Sequence, residues 1–244
     1  MEMYKLSQAT LAVRKEPWHS SELVNQILFG ESFEVNIKQD QWWNIQSHHD
    51  QYQGWVDSNI FLNPAEEEEE KLIICKTFAY VHYKNQVYVL PFGSLCPTYM
   101  LKNNINKNDF VRSPLRIDLA LELMKTQFEN APYLWGGRTP MGIDCSGFVQ
   151  LFGRLVGVNL NRDANQQAEQ GKSVESLEVA IPGDLVFFHN NNKRITHVGI
   201  YLGDQKIIHS SGKVRIDLLS TDGIINGQTG QLSHQYSHIK RVAV

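Results

Sequence analysis

The chain has 244 residues, 42% of them hydrophobic and 20% charged, and a formal net charge of -3. That length allows a sizeable core and more than one domain, while mild acidity without a basic block gives no electrostatic footing for nucleic acid or anionic lipid. Three cysteines, Cys75, Cys96 and Cys145, with no CxxC pair, speak against a disulfide framework or a zinc ribbon and for free thiols in a reducing compartment.

The first ten residues lack a basic n-region and an apolar h-region, and no apolar run approaches the roughly 18 residues that span a bilayer. A cytoplasmic protein with no membrane contact is expected. From Tyr4 to Leu62 short alternating segments are broken by turn signals: Leu11 to Val13, Glu22 to Ile27, Ser32 to Ile37, Trp42 to Gln46 and Gly54 to Val56. This pattern predicts a small β-barrel over residues 1–62. Residues 63–70 hold the glutamate run Glu66 to Glu70, which cannot bury itself and predicts an acidic linker. Residues 71–110 carry a hairpin pattern, Thr77 to Tyr83 and Gln86 to Leu90, and predict a second, divergent barrel unit.

Residues 111–244 form the predicted catalytic unit. Ser113 with Pro114 is expected to open a helix whose apolar face is Leu115, Leu119, Ala120, Leu123, Met124 and Phe128. The loop Pro132–Gly142 then runs into Asp144, a good N-cap, and the spacing Phe148, Leu151, Phe152, Leu155 predicts a helix that Gly157 can end. Cys145 thus stands in a first helical turn, where free N–H groups and the helix dipole favour a thiolate. Most cysteines are small buried hydrophobes; this setting marks a nucleophile instead.

Leu185 to Phe188, Thr196 to Leu202 and Lys206 to Ser210 read as strands, the last two joined through Gly203-Asp204-Gln205. Alternation sets Val198, Ile200 and Leu202 on one face, with His197, Gly199 and Tyr201 on the other and directed away from the apolar core. With that loop, cross-strand partners sum to about 408, so His209 lies opposite Gly199 and a diagonal step from His197. A one-residue slip would part the two imidazoles. A thiol, a base and a group orienting the base are the parts of nucleophilic acyl chemistry, and Cys145, His197 and His209 supply them.

Two resemblances rest on these residues. Ser21 to Glu31, Trp42-Trp43-Asn44-Ile45 and Gly54-Trp55-Val56 resemble bacterial SH3-like domains. Tyr133-Leu134-Trp135-Gly136-Gly137, Asp144-Cys145-Ser146-Gly147-Phe148, Pro182-Gly183-Asp184-Leu185 and His197 to Leu202 resemble the NlpC-type family of papain-like cell-wall cysteine peptidases. The resemblance implies an α+β protein: a papain-like catalytic domain, with a helix bundle packed on an antiparallel sheet, behind SH3-like barrels. It also implies small peptide substrates, namely γ-D-glutamyl-diamino acid tripeptides or tetrapeptides of peptidoglycan; the lack of a secretion signal points to recycling of imported fragments, and a monomer without cofactor or metal is expected. Cys145 is then nucleophile, His197 base and His209 its orienting partner. Asp144, Ser146, Trp135 and Tyr52 take the positions that bind a free N-terminal L-alanine in that family.

One departure is Arg162-Asp163-Ala164, where the family carries Arg-Asp-Ser; Ala164 cannot donate a hydrogen bond, and Gln167 is the neighbour that could replace it. The oxyanion is expected at the backbone N–H of Cys145 and a second donor. Zinc ligation by Cys145, His197 and His209 is the competing site chemistry, disfavoured because HExxH is absent. A same-fold amidase or acyltransferase and a non-catalytic wall-peptide binder are the competing functions. The remaining histidines, His234 among them, are expected to be structural or solvated.

Overall fold

The computed structural model describes residues 3–59, 62–64, 70–101 and 106–242. The predicted linker core, Glu66 to Glu69, lies outside the described residues. No helix of the described chain is long and apolar enough to cross a membrane. Two compact units emerge: Met1–Ser113 with Trp135–Pro140, and Pro114–Leu134 with Met141–Val244. The chain therefore leaves the C-terminal unit after Leu134, contributes Trp135–Pro140 to the N-terminal unit, and returns.

In the N-terminal unit, strands β1 (Met3–Leu6), β2 (Thr10–Arg14), β3 (Leu23–Leu28), β4 (Ser32–Gln39), β5 (Trp42–Ser47), β6 (Gln53–Asp57) and β7 (Leu62–Pro64) form one sheet in the order β3-β2-β6-β5-β4-β1-β7. Alternate residues face one core, where Leu11, Val13, Ile27, Phe33, Ile45 and Val56 are buried. Residues 71–111 follow as β8 (Lys71–Ile74), β9 (Phe78–Tyr83), β10 (Gln86–Pro91), β11 (Leu95–Pro97) and β12 (Phe110–Val111), in a β11-β8-β12 sheet and a β9-β10 hairpin. These strands share a core with Phe29 of the first segment, and the Leu95 amide donates to the Phe29 carbonyl at 2.9 Å. Cys75 and Cys96 are free and buried; burial pushes both thiols up, Cys96 to about 12.

Trp135–Pro140, with β13 (Arg138–Thr139), is fastened to this unit by a buried ion pair. Arg138 donates from Nη1 to Glu31 Oε2 at 2.9 Å and from Nη2 to Glu31 Oε1 at 3.0 Å. Gly136 has φ +75° and a Cβ there would stand 2.4 Å from the Leu23 carbonyl oxygen, so only glycine fits.

The C-terminal unit departs from the expected helix bundle. Among the described residues it holds α1 (Ile117–Phe128), α2 (Cys145–Leu155) and the one-turn α3 (Ala164–Gln167), and is otherwise mostly sheet. α1 starts three residues past Pro114 because Arg116 is extended, with ψ 146°, and serves as its N-cap, while the Leu115 amide bonds to the Leu155 carbonyl at 2.8 Å. Its face turns with the later start: Leu121 is buried and Leu119 exposed.

After β14 (Gly142–Ile143), the strands are β15 (Lys172–Val174), β16 (Leu185–His189), β17 (Ile195–Gly203), β18 (Lys206–Ser211), β19 (Lys213–Leu219), β20 (Gly223–Ile225) and β21 (Leu232–Arg241). Their order is β15-β21-β16-β17-β18-β19-β20, and β20 also pairs with β21, so six strands close on themselves. The inner face holds Val186, Phe188, Tyr201, Ile207, Leu219, Ile224 and Ile239. His197 and Tyr201 share this face. The two faces of β17 alternate as the pattern predicts, but this side is a second core rather than a polar face.

Candidate active site

α2 is buried along its whole length and packs on β17 and β18. Asp144 is extended and accepts the Gly147 amide at 2.7 Å, which caps the helix and leaves Cys145 as its first residue. Val198, the neighbour of His197 on β17, is among the backbone groups that act on the Cys145 thiol.

Burial opposes the thiolate that the helix terminus favours. Burial pushes Cys145 up to about 12, with the Asp144 carboxylate adding to the rise, while the Val198 hydrogen bond, Arg162 and the Ser146 amide lower it. At this site desolvation outweighs the helix terminus.

Asp144 does more than cap. Arg162, 1% exposed, donates from Nη1 to Oδ1 at 2.9 Å and from Nη2 to Oδ2 at 2.5 Å, and its Nη1 also reaches Ser146 Oγ at 2.8 Å. Ser146 Oγ donates to Asp144 Oδ1 at 3.3 Å. The two substrate-site candidates flanking Cys145 are thus joined to a buried guanidinium. Gln167 does not stand in for the missing serine as a donor: its amide nitrogen is spent on the carbonyls of Ser146 at 3.0 Å and Asn161 at 2.8 Å. Ala164 begins α3, behind an Asp163 capping box.

The β17–β18 hairpin meets the expected register by an unexpected route. Asp204 and Gln205, with φ of 49° and 56°, make a two-residue turn closed by Gly203 and Lys206. Alone that turn would shift every pair by one, but an irregularity between Tyr201 and Gly203 restores Tyr201↔Ile207 and Ile200↔Ile208. His197 Nε2 and His209 Nδ1 consequently lie 2.8 Å apart.

Three further residues complete the cluster, none of them expected. Asp217 on β19 is 5% exposed, and its Oδ2 stands 3.0 Å from His209 Nε2 and 2.8 Å from Arg215 Nε. Its Oδ1 accepts the Gly227 amide at 3.0 Å. His234 on β21 stacks on His197, centroids 4.1 Å apart and planes at 26°. Burial first, then the neighbouring charges, holds His197 well below 6.5 and His234 at about 4. Burial also lowers His209, against the opposing pull of the Asp217 hydrogen bond and charge.

Asp217 and Arg215 alternate with Val214, Ile216 and Leu218, so a two-residue period directs the charges outward. The structure reverses this, leaving Ile216 and Leu218 about half exposed and Asp217 buried.

His197, His209 and His234 place one ring nitrogen each within 4.8 Å of one another. The 2.8 Å His197–His209 spacing is that of a hydrogen bond, whereas two nitrogens on one tetrahedral zinc stand about 3.3 Å apart. The trio fits proton handling better than metal ligation.

Tyr133, before the excursion to Trp135, is half-buried; burial raises its phenol, as do the Cys145 and Asp144 charges. Its phenol is thereby kept neutral, beside Cys145. Trp135 and Tyr52 belong to the N-terminal unit. Trp135 is 57% exposed, with Nε1 donating to Glu22 Oε1 at 2.8 Å; Tyr52 precedes β6, its amide bonded to Asp50 Oδ1 at 3.1 Å.

Comparison with known proteins agrees with this architecture. Residues 130–233 match the NlpC/P60 family, and residues 13–59 match the bacterial dipeptidyl-peptidase SH3 domain. The gamma-D-glutamyl-L-lysine dipeptidyl-peptidase of Bacillus subtilis is 29% identical over 211 residues, covering 76% of this chain and 71% of that protein. The protein of the same name from Bacillus cereus is 27% identical over 259 residues, covering 87% and 75%. A crystal structure of an NlpC/P60 family protein from Bacillus cereus superposes with a TM-score of 0.83 at 21% identity, over 99% of this chain and 100% of that one.

Proposed function

We propose that this chain, a cysteine endopeptidase with an NlpC/P60 domain behind a bacterial SH3 domain, hydrolyses the γ-D-glutamyl–diamino acid bond of peptidoglycan stem peptides that keep a free N-terminal L-alanine. The observation that carries this reading is Cys145 at the first position of a buried helix packed on β17 and β18, the strands that hold His197 and His209 2.8 Å apart. The two Bacillus relatives supply the bond, since their name specifies cleavage at γ-D-glutamyl-L-lysine.

In this mechanism His197 takes the Cys145 proton as the sulfur adds to the γ-carbonyl carbon of D-glutamate. A neutral thiol–imidazole pair at rest suits this, because proton transfer then accompanies attack. The Cys145 amide and the Tyr133 hydroxyl are the proposed donors to the oxyanion. Collapse transfers the proton from His197 to the leaving amine and leaves a thioester, which water hydrolyses with His197 again as base. The free ammonium is assigned to Asp144 and Ser146, with Trp135 and Tyr52 as aromatic contacts. Soluble fragments in cell-wall recycling, in the cytoplasm, are the proposed setting.

L-Ala-γ-D-Glu with L-lysine or meso-diaminopimelate, each free and N-blocked, tests this by mass spectrometry beside Cys145→Ala. Cleavage of the free tripeptides at the γ-D-Glu bond, sparing of the blocked ones and a dead variant are expected. Equal cleavage of blocked peptide would end the N-terminal assignment, and unchanged discrimination in Tyr52→Ala would remove Tyr52 from it. Faster turnover of intact sacculi than of free tripeptide would overturn the recycling role.

A further inference from the structure

The geometry assigns Asp217 as the positioning residue that sets the tautomers of His209 and His197, extending the site to a chain Asp217–His209–His197 anchored on β19. The assignment rests on the reading of Cys145 and His197 as nucleophile and base, and it follows from the proton positions that two contacts require, Asp217–His209 and His209–His197.

Asp217 is 5% exposed and, with the Arg215 guanidinium 2.8 Å from Oδ2, is held as a carboxylate. Burial works to raise its pKa, but the His209 hydrogen bond, the Gly227 amide, the His209 charge and Arg215 together lower it. An ionised carboxylate only accepts. His209 Nε2, 3.0 Å from Oδ2, must therefore carry its ring proton, which leaves a lone pair on Nδ1 of the neutral ring. That lone pair faces His197 Nε2 at 2.8 Å, so His197 carries its proton on Nε2 and presents an unprotonated Nδ1 as base. The opposite sequence of donors would place a proton on His197 Nδ1 and leave it unable to accept one from Cys145. The His–His contact is symmetric in kind and permits either arrangement. The carboxylate at its far end breaks the tie.

The surroundings hold Asp217 to this task. The Gly227 amide fixes Oδ1 at 3.0 Å and the Arg215 guanidinium stands 2.8 Å from Oδ2. The register pairs His209 with Arg215 and Ile207 with Asp217, so the carboxylate reaches along β18 to the imidazole rather than straight across. Groups facing His209 are His197 on β17, Asp217 and Arg215 on β19 and His234 on β21. Of these only Asp217 is an anion, so its removal takes away the negative charge that stabilises an imidazolium formed during turnover.

The test is nitrogen-15 NMR of histidine-labelled full-length protein together with kinetics. In the parent at neutral pH, His209 and His197 are both expected as Nε2–H tautomers. A parent with His209 protonated on Nδ1 would overturn the assignment whatever the activity, and so separates it from failure of the proposed function, which Cys145→Ala reports. Asp217→Ala is expected to mix the tautomers and lower kcat roughly 100- to 10,000-fold, the range of a base left in the wrong tautomer, with KM little changed. The acid limb of its kcat profile moves to lower pH, because loss of the anion makes the imidazoles harder to protonate. Asp217→Glu, which keeps the carboxylate, recovers part of kcat and the parent nitrogen shifts. Parent-like kcat in Asp217→Ala, or a large loss with unchanged tautomers and acid limb, would remove Asp217 from this role.

Discussion

Cys145, Asp144 and Arg162 show how much a single residue's chemistry depends on what is packed over it. The Asp144–Arg162 pair is 6% and 1% exposed at the side chains, so removing one charge strands the other out of water. Asn caps a helix about as well as Asp, hence Asp144→Asn isolates the ion pair from the cap. Its urea unfolding free energy is expected to fall by about 3–5 kcal/mol; a loss near zero would mean the pair is solvated. The histidines give a second prediction at this scale. His197, His209 and His234 all have depressed folded-state values, His234 at about 4, against 6.5 when unfolded. Below 6.5 the unfolded chain binds protons that the folded one refuses, so stability is present above that pH and is lost as pH falls toward 4. Tm should drop across this window, and by less in His234→Gln.

For the elements, the hairpin β17–β18 carries the most consequence per residue. Its two-residue turn and compensating irregularity bring His209 beside Gly199, where an added Cβ would stand 2.7 Å from Ile207 Cδ1 and 3.0 Å from His209 Cβ. Gly199→Ala is therefore expected to cost about 1–3 kcal/mol by overpacking and to lower kcat by displacing His209, with KM near the parent value. An unchanged kcat would show that Ile207 alone absorbs the methyl. β19 makes the complementary point, since its buried face carries Arg215 and Asp217 beside Leu219 while Ile216 and Leu218 meet solvent. Burial of these charges is tolerated because each has an opposite or hydrogen-bonding partner.

The whole molecule is interleaved in sequence, with Trp135–Pro140 belonging to the N-terminal unit. Glu31 and Arg138 are 1% and 0% exposed at the side chains, so a fragment ending at Ser113 keeps the carboxylate and loses its guanidinium. Glu31→Gln should then stabilise the fragment and destabilise the full chain. Thermal melts of the four proteins check this, and the same sign in both backgrounds would show that Arg138 does not compensate Glu31.

Local signals determined much of this protein. Alternation located most strands of the first sheet, the cap and apolar spacing located α2 with Cys145 at its head, and the loop between Leu202 and Lys206 gave a register that pairs His197 with His209. Those features are short-range, written in contiguous residues. Asp217, His234, Arg162 and the Glu31–Arg138 pair were not legible, because each is a polar group whose burial depends on a partner carried by another element. The closing of β20 on β21 puts His234 and Asp217 around the imidazoles, and a two-residue period cannot tell an inner face from an outer one when charged residues occupy the inner. The pKa of Cys145 was likewise decided by tertiary packing: the helix terminus is local and favours the thiolate, but the desolvation that overrides it comes from everything folded around the sulfur.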